Sequence, residues 1–202
     1  MQLYRPVLRI RTAPAGSPVT LSEAKGHLRI AADDDFDDTE LQGYLDAAVQ
    51  LLDGPYGRLS RAIMPQGWTQ LQGRPNSSTQ RIWLQLATVT AIDAIRYLDE
   101  SDEAQVLDVA NFRKVLLEDA AYIEPSTGTS WPKMADRPDA LQIDFTAGYA
   151  DAASVPATIK QAIRLLVGEW ANEREASTPV ELREIPIGVD SLIEPYKLGW
   201  AR

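Results

Sequence analysis

The chain has 202 residues, 45% of them hydrophobic, a formal net charge of −9 and no cysteine. That length suits one domain of ordinary size or a compact core with an inserted subdomain, and the composition excludes disulfides, thiolate nucleophiles and zinc sites built on sulfur. The acidic balance weighs against tight nucleic-acid binding, which needs Lys and Arg to displace condensed cations, although like charge suits a surface that DNA must slide past.

From the N-terminus, Met1 to Ala15 carries arginines at 5, 9 and 11 among apolar residues and lacks the uninterrupted apolar core of a signal peptide. Nowhere does the chain approach the roughly 18 consecutive apolar residues of a membrane span, so it reads as soluble and cytoplasmic. Thr20 and Glu23 have capping-box spacing, and Leu21, Ala24, Leu28 and Ala31 recur on one face, which predicts a first helix over 21–31. The acidic run Asp33 to Asp38 leads into a second helix over 38–56, with Leu41, Leu45, Ala48 and Leu52 opposite Gln42, Asp46, Gln50 and Asp53. Gly54-Pro55, or Gly57 one turn later, stops it.

From about Ala62 to Gly148 the period changes to two. "WTQLQG", "RIWLQL", "IDAIRYLD", "AQVLD" and "FRKVLL" alternate or carry β-formers between polar turns, and "LQIDFTAGY" closes the block with Leu141, Ile143 and Phe145 on one face. Pro156 then starts a third helix, 156–176, whose stripe is Ile159, Ile163, Leu166 and Trp170. The fold class is therefore α+β: a small helical bundle (1–60 and 149–176) with an inserted antiparallel β subdomain (61–148), then a linker and tail (177–202). The tail "IGVDSLIEPYKLGWAR" is apolar enough for one or two helical turns, and after a polar linker it is expected to meet a partner and to add little to the fold of the free subunit, the competing view being that it folds back to cover its own bundle.

The search for chemistry yields little. Asp33, Asp35 and Asp37 imitate the alternate spacing of a calcium loop, but Asp38 stands where a glycine is required and Tyr44 where a bidentate glutamate is required. They read instead as acidic residues at a helix N-terminus. His27 is the only histidine, and without cysteine or a second histidine it is a packed or half-exposed side chain, not a ligand or base. No phosphate-binding glycine motif occurs. Trp68, Trp83 and Trp131 read as core and interface packing, and Trp170 as core. Glu169, Glu173 and Glu175 with Arg164 and Arg174 form a salt-bridge face on the third helix, and Leu165 adds a second apolar side suited to a neighbouring subunit. No catalytic residue, metal or cofactor is expected. A small carboxylate-dependent hydrolase remains open as one reading, and a DNA-binding module as another.

Several segments together resemble the head-tail connector, or adaptor, proteins of long-tailed bacteriophages and gene transfer agents. "PVTLSEAKGHLR", Pro18 to Arg29, follows that family's opening segment. Tyr56-Gly57-Arg58 follows its second helix, Gln66 and Trp68 its first strand, and Val89, Ile92, Ile95, Tyr97 and Asp99 its next long strand. The most specific part is "FTAGY" (Phe145 to Tyr149), the helix Val155 to Trp170, and Arg174-Glu175. Pro186, Gly188, Val189, Leu192, Ile193, Pro195 and Tyr196 match the tail pattern. The strand "RIWLQLATVT" lacks the family's prolines, and Gly54-Pro55 interrupts the usual helix end.

The resemblance implies a virion protein without catalysis, forming a ring, dodecameric in the particle, under the portal, joining capsid to tail and continuing the DNA channel. Its implied partners are the portal, a tail-side connector or stopper, its own copies, and double-stranded DNA passing without specific binding. No membrane is implied, and assembly takes place in the bacterial host cytoplasm. The portal-docking tail comprises Ile185, Pro186, Ile187, Gly188, Val189, Leu192, Ile193, Pro195 and Tyr196. The intersubunit helix face comprises Arg164, Leu165, Glu169, Glu173 and Arg174. Gly148, Tyr149 and Pro156 form a strand-to-helix joint, where glycine allows a turn that side chains resist.

Overall fold

The computed structural model describes residues 6–75, 80–172 and 187–198. The chain divides into two compact units, one made of Met1–Ala15 and Arg61–Tyr149, the other of Gly16–Ser60 and Ala150–Arg202.

The first unit is built of β-strands, with one 3-10 turn at Val109–Asn111. Its strands are β1 (Val7–Thr12), β2 (Gln66–Gln72), β3 (Ile82–Leu84), β4 (Val89–Leu98), β5 (Ala104–Leu107), β6 (Phe112–Leu116), β7 (Ala121–Pro125) and β8 (Leu141–Ala147). They form a five-stranded sheet ordered β1-β2-β8-β4-β5 and a three-stranded sheet ordered β3-β7-β6, with antiparallel pairing between neighbouring strands. Alternation sets which face is inward: Trp68, Phe145 and Ile92 lie in one register row, and Gln70, Ile143 and Ile95 in another. The smaller sheet contributes Ile82, Leu84, Phe112 and Ile123 to the same buried core.

β1 departs from the expectation, which groups residues 7–12 with the helical part. Five of its six residues are exposed, so the strand exists through its ladder to β2 and shows little buried alternation. A strand of that kind has no hydrophobic period to read.

The second unit contains α1 (Leu21–Leu28), α2 (Asp38–Leu52), α3 (Ala157–Asn172) and α4 (Ile187–Ile193), the last followed by a 3-10 turn, Glu194–Tyr196. The capping box at α1 is complete: the Glu23 N–H donates to the Thr20 hydroxyl (3.2 Å) and the Thr20 N–H donates to the Glu23 carboxylate (2.8 Å). The helix stops at Leu28, three residues before the expected end, because Arg29 turns left-handed (φ 59°) and its N–H folds back to the Gly26 carbonyl. All four predicted stripe residues of α2 are buried. That helix ends at Leu52, short of 56, because Asp53 is extended and Gly57 lies against the Leu52–Asp53 backbone, where a Cβ would collide.

On α3 the buried residues are Ile159, Ala162, Ile163, Leu166, Val167 and Gly168. Trp170, expected in the core, is half-buried, its ring tilted against Tyr44 of α2 at 6.5 Å. The described part of α3 stops at Asn172, so the expected end at 176 lies outside the described residues.

Candidate assembly surfaces

The C-terminal segment is held by its own unit. Val189 and Ile193 are fully buried and Leu198 nearly so, with α4 lying along α3. The Thr158 hydroxyl of α3 donates to the Tyr196 oxygen (3.3 Å). Asp190 accepts from Arg58 (3.0 Å) and from Lys197 (3.2 Å), so one carboxylate ties α4 both to the turn after α2 and to the residue that follows the 3-10 turn. Lys197 also donates to Glu194 (2.7 Å), and that bond, followed by the pull of Asp190, raises its pKa. The expectation that this tail adds little to the free subunit is corrected: hydrophobic burial was available within reach, and the segment took it. The outward side of the tail is Gly188 and Pro195, both exposed, with half-buried Leu192 and Tyr196. For Ile187 only the backbone is described, and Ile185 and Pro186 lie outside the described residues.

The face of α3 expected between subunits is also partly engaged within the chain. Arg164 donates to Glu23 (2.9 Å), adding a third element to the capping box, while Leu165 and Glu169 are half-buried. Glu23 sits below its ordinary pKa, first through the Thr20 N–H and then, against some desolvation, through the Thr20 hydroxyl and Arg164. Glu173 and Arg174 lie outside the described residues.

Gly148 and Tyr149 close the β unit. Gly148 has φ 122°, its N–H donates to the Thr88 carbonyl (2.9 Å), and a Cβ there would run into the Met64 carbonyl oxygen. The Tyr149 N–H donates to the Ile63 carbonyl (3.0 Å). Its hydroxyl accepts from Arg61 (3.0 Å), a guanidinium with no exposed surface that also pairs with Asp119 and faces Glu118 at 3.8 Å. Arg61 is the residue that sequence reasoning missed, since an arginine in "RLSRAIM" carries no sign of burial. In the helical unit Pro156 stands just before α3, one position earlier than expected, and its carbonyl accepts from the Ile159 and Lys160 N–H groups.

Among the described residues no group of three or more His, Asp or Glu side chains is placed to hold a metal, and no helix is long and apolar enough to cross a membrane. His27 is exposed, beside Gly168 of α3. Asp38 of the acidic run is spoken for by the buried Lys25, which ties the start of α2 to α1.

Residues 115–197 match the family model described as phage gp6-like head-tail connector protein. Part of the chain is thus similar to the head-tail connector family. This connector match runs from within β6 to just past the 3-10 turn and so contains Gly148, Tyr149, all of α3 and the tail motif. The N-terminal motif Pro18 to Arg29 lies outside it, but likeness to solved structures extends over both units. Among these is a chain in the neck of an empty gene transfer agent particle (27% identity, 95% of both chains, TM-score 0.74). Another is in the native gene transfer agent virion (27% identity, 94% of both chains, TM-score 0.73). A third is in the neck of the native particle computed with C12 symmetry (25% identity, 95% of this chain and 94% of that one, TM-score 0.72). No curated protein is similar to the chain.

Proposed function

We propose that this chain is a structural component of a phage or gene transfer agent particle: a head-tail connector whose copies form a ring under the portal. The ring joins capsid to tail, meets a tail-side connector or stopper below, and continues the DNA channel, with no catalytic step. The observation that carries this reading is end-to-end likeness to chains in particle necks solved with C6 and C12 symmetry. The charge of −9 fits the channel role, since an acidic wall lets DNA pass without adhesion. The portal contact is assigned to the outward side of the tail, Gly188, Leu192, Pro195 and Tyr196, because Val189 and Ile193 are already covered.

Imaging of particles from a host producing this chain tests the reading. The expected result is a ring of this chain directly beneath the portal. Particles whose necks contain no copy of it would overturn the assignment. A second check is co-sedimentation of purified chain with purified portal, expected to be lost in Leu192→Glu with Tyr196→Glu.

A further inference from the structure

The outer face of the small sheet is the most conspicuous surface in the β unit. Pairing register puts Trp83, Tyr122 and Val115 in one row and Arg113 opposite Glu124 in the next. Trp83 is 49% exposed, in a strand whose two flanking residues, Ile82 and Leu84, are buried. Its outward direction is fixed from inside. The buried Gln70 amide donates to the Trp83 carbonyl (2.9 Å) and accepts from the Gln85 N–H (2.8 Å), clasping the strand on both sides of Leu84. The indole meets the Tyr122 ring at 4.8 Å, and the Arg81 guanidinium lies over that same ring, 4.8 Å from its centre. Glu124 serves two cations at once, Arg81 at 2.6 Å and Arg113 at 3.5 Å. One carboxylate against two guanidiniums leaves the patch positive on a chain of net charge −9.

The helical unit carries the complement. Residues 33–37 place Asp33, Asp34, Asp35 and Asp37 around Phe36, which is 89% exposed, the most exposed large hydrophobic side chain among the described residues. Copies this acidic repel one another unless opposite charge is matched locally, and a closed ring needs two different surfaces that fit each other. We propose that the face formed by Arg81, Trp83, Tyr122 and Arg113 is a docking surface for the Phe36-bearing acidic loop of a second copy of this chain. Phe36 lies against the Trp83–Tyr122 pair and the aspartates meet the two arginines. The inference rests on the ring reading above for its head-to-tail geometry.

The chain has no cysteine, so disulfide trapping is clean. In the full-length variant Phe36→Cys with Trp83→Cys, oxidation of concentrated protein, and of protein bound to portal, is expected to give a ladder of linked chains. Each single variant gives at most a dimer. Adding Arg81→Glu with Arg113→Glu should abolish the ladder, and further adding Asp34→Lys with Asp35→Lys should restore it, with unchanged circular dichroism throughout. A double variant that yields no ladder in either setting overturns the proposal, as does linkage of Phe36→Cys to itself alone. Loss of duplex DNA retention in Arg81→Glu with Arg113→Glu, without any ladder, overturns it in favour of a DNA-facing surface. Co-sedimentation with portal separates the two claims. Binding without a ladder leaves the ring reading standing and removes this contact; a ladder without portal binding does the reverse.

Discussion

Arg61 shows how a residue of surface type can organise an interior. Its guanidinium is wholly enclosed, yet its partners Asp119 and Glu118 have carboxylates in solvent, so the pair keeps much of its hydration on the acidic side. Removing a partner from a fully buried ion pair costs about 3 to 5 kcal/mol. Because Asp119 can rehydrate, Arg61→Met is expected at the lower end, about 3 kcal/mol, read by urea denaturation. A cost near zero would mean that the aliphatic stem alone matters. Gly148→Ala is expected to lose about 1 to 3 kcal/mol from its left-handed backbone alone, and more from the Met64 clash, in the same measurement. The titratable residues set a pH window. Glu23, Asp99, Asp139 and Asp151 all have folded pKa values below the ordinary carboxylate range, held down chiefly by the Thr20 N–H, Gln105, Arg137 and Ser154 respectively. A lowered carboxylate pKa contributes stability above the unfolded value of about 4 and loses it as pH falls through the folded value. Lys197, raised by Glu194, contributes below about 10.4 and loses its share as pH climbs through its folded value. Melting temperature is therefore expected to be flat near neutrality and to fall at both ends, with the acid limb shallower in Glu23→Gln.

At the scale of elements, periodicity carried most of the reading. α2 shows four predicted positions at 3.6 spacing and all four buried, and β8 shows Leu141, Ile143 and Phe145 inward as alternation demands. The misses have physical causes. Alternation puts Asp144 on the face opposite Leu141, Ile143 and Phe145, yet it is buried because Thr69 (2.7 Å) and Arg96 (2.7 Å) close over it, which is cross-strand chemistry invisible along the chain. Trp170 sits on the predicted stripe but is half-buried, its ring tilted against Tyr44. Trp170→Ala should accordingly cost less than the roughly 3 to 5 kcal/mol of an enclosed tryptophan. The tail reverses in the other direction. Ile193→Ala is expected to cost about 2 to 5 kcal/mol, and truncation after Glu184 to lower the melting temperature clearly. An unchanged melting temperature after truncation would show that α4 is dispensable to the fold. The candidate surfaces were legible only as composition: the sequence offers an apolar tail and an acidic loop, but which of their side chains remain outward depends on folding.

For the whole molecule, charge governs association. Copies carrying −9 each should stay monomeric or weakly associated at low micromolar concentration, so that ring formation waits for a template. Light scattering across a salt series checks this; a stable large ring of the pure protein at low salt would contradict it. The chain passes between its two units at three places, after Ala15, Ser60 and Tyr149. During synthesis the β unit can close as soon as Tyr149 has left the ribosome. The helical unit cannot, since α1 and α2 emerge early but their cover, α3 and α4, is made last. Residues 53–156, most of them in the β unit, separate α2 from α3, and that long loop makes closure slow compared with a local helical bundle. A product terminated before α3 and α4 would therefore carry a finished β unit and no finished bundle.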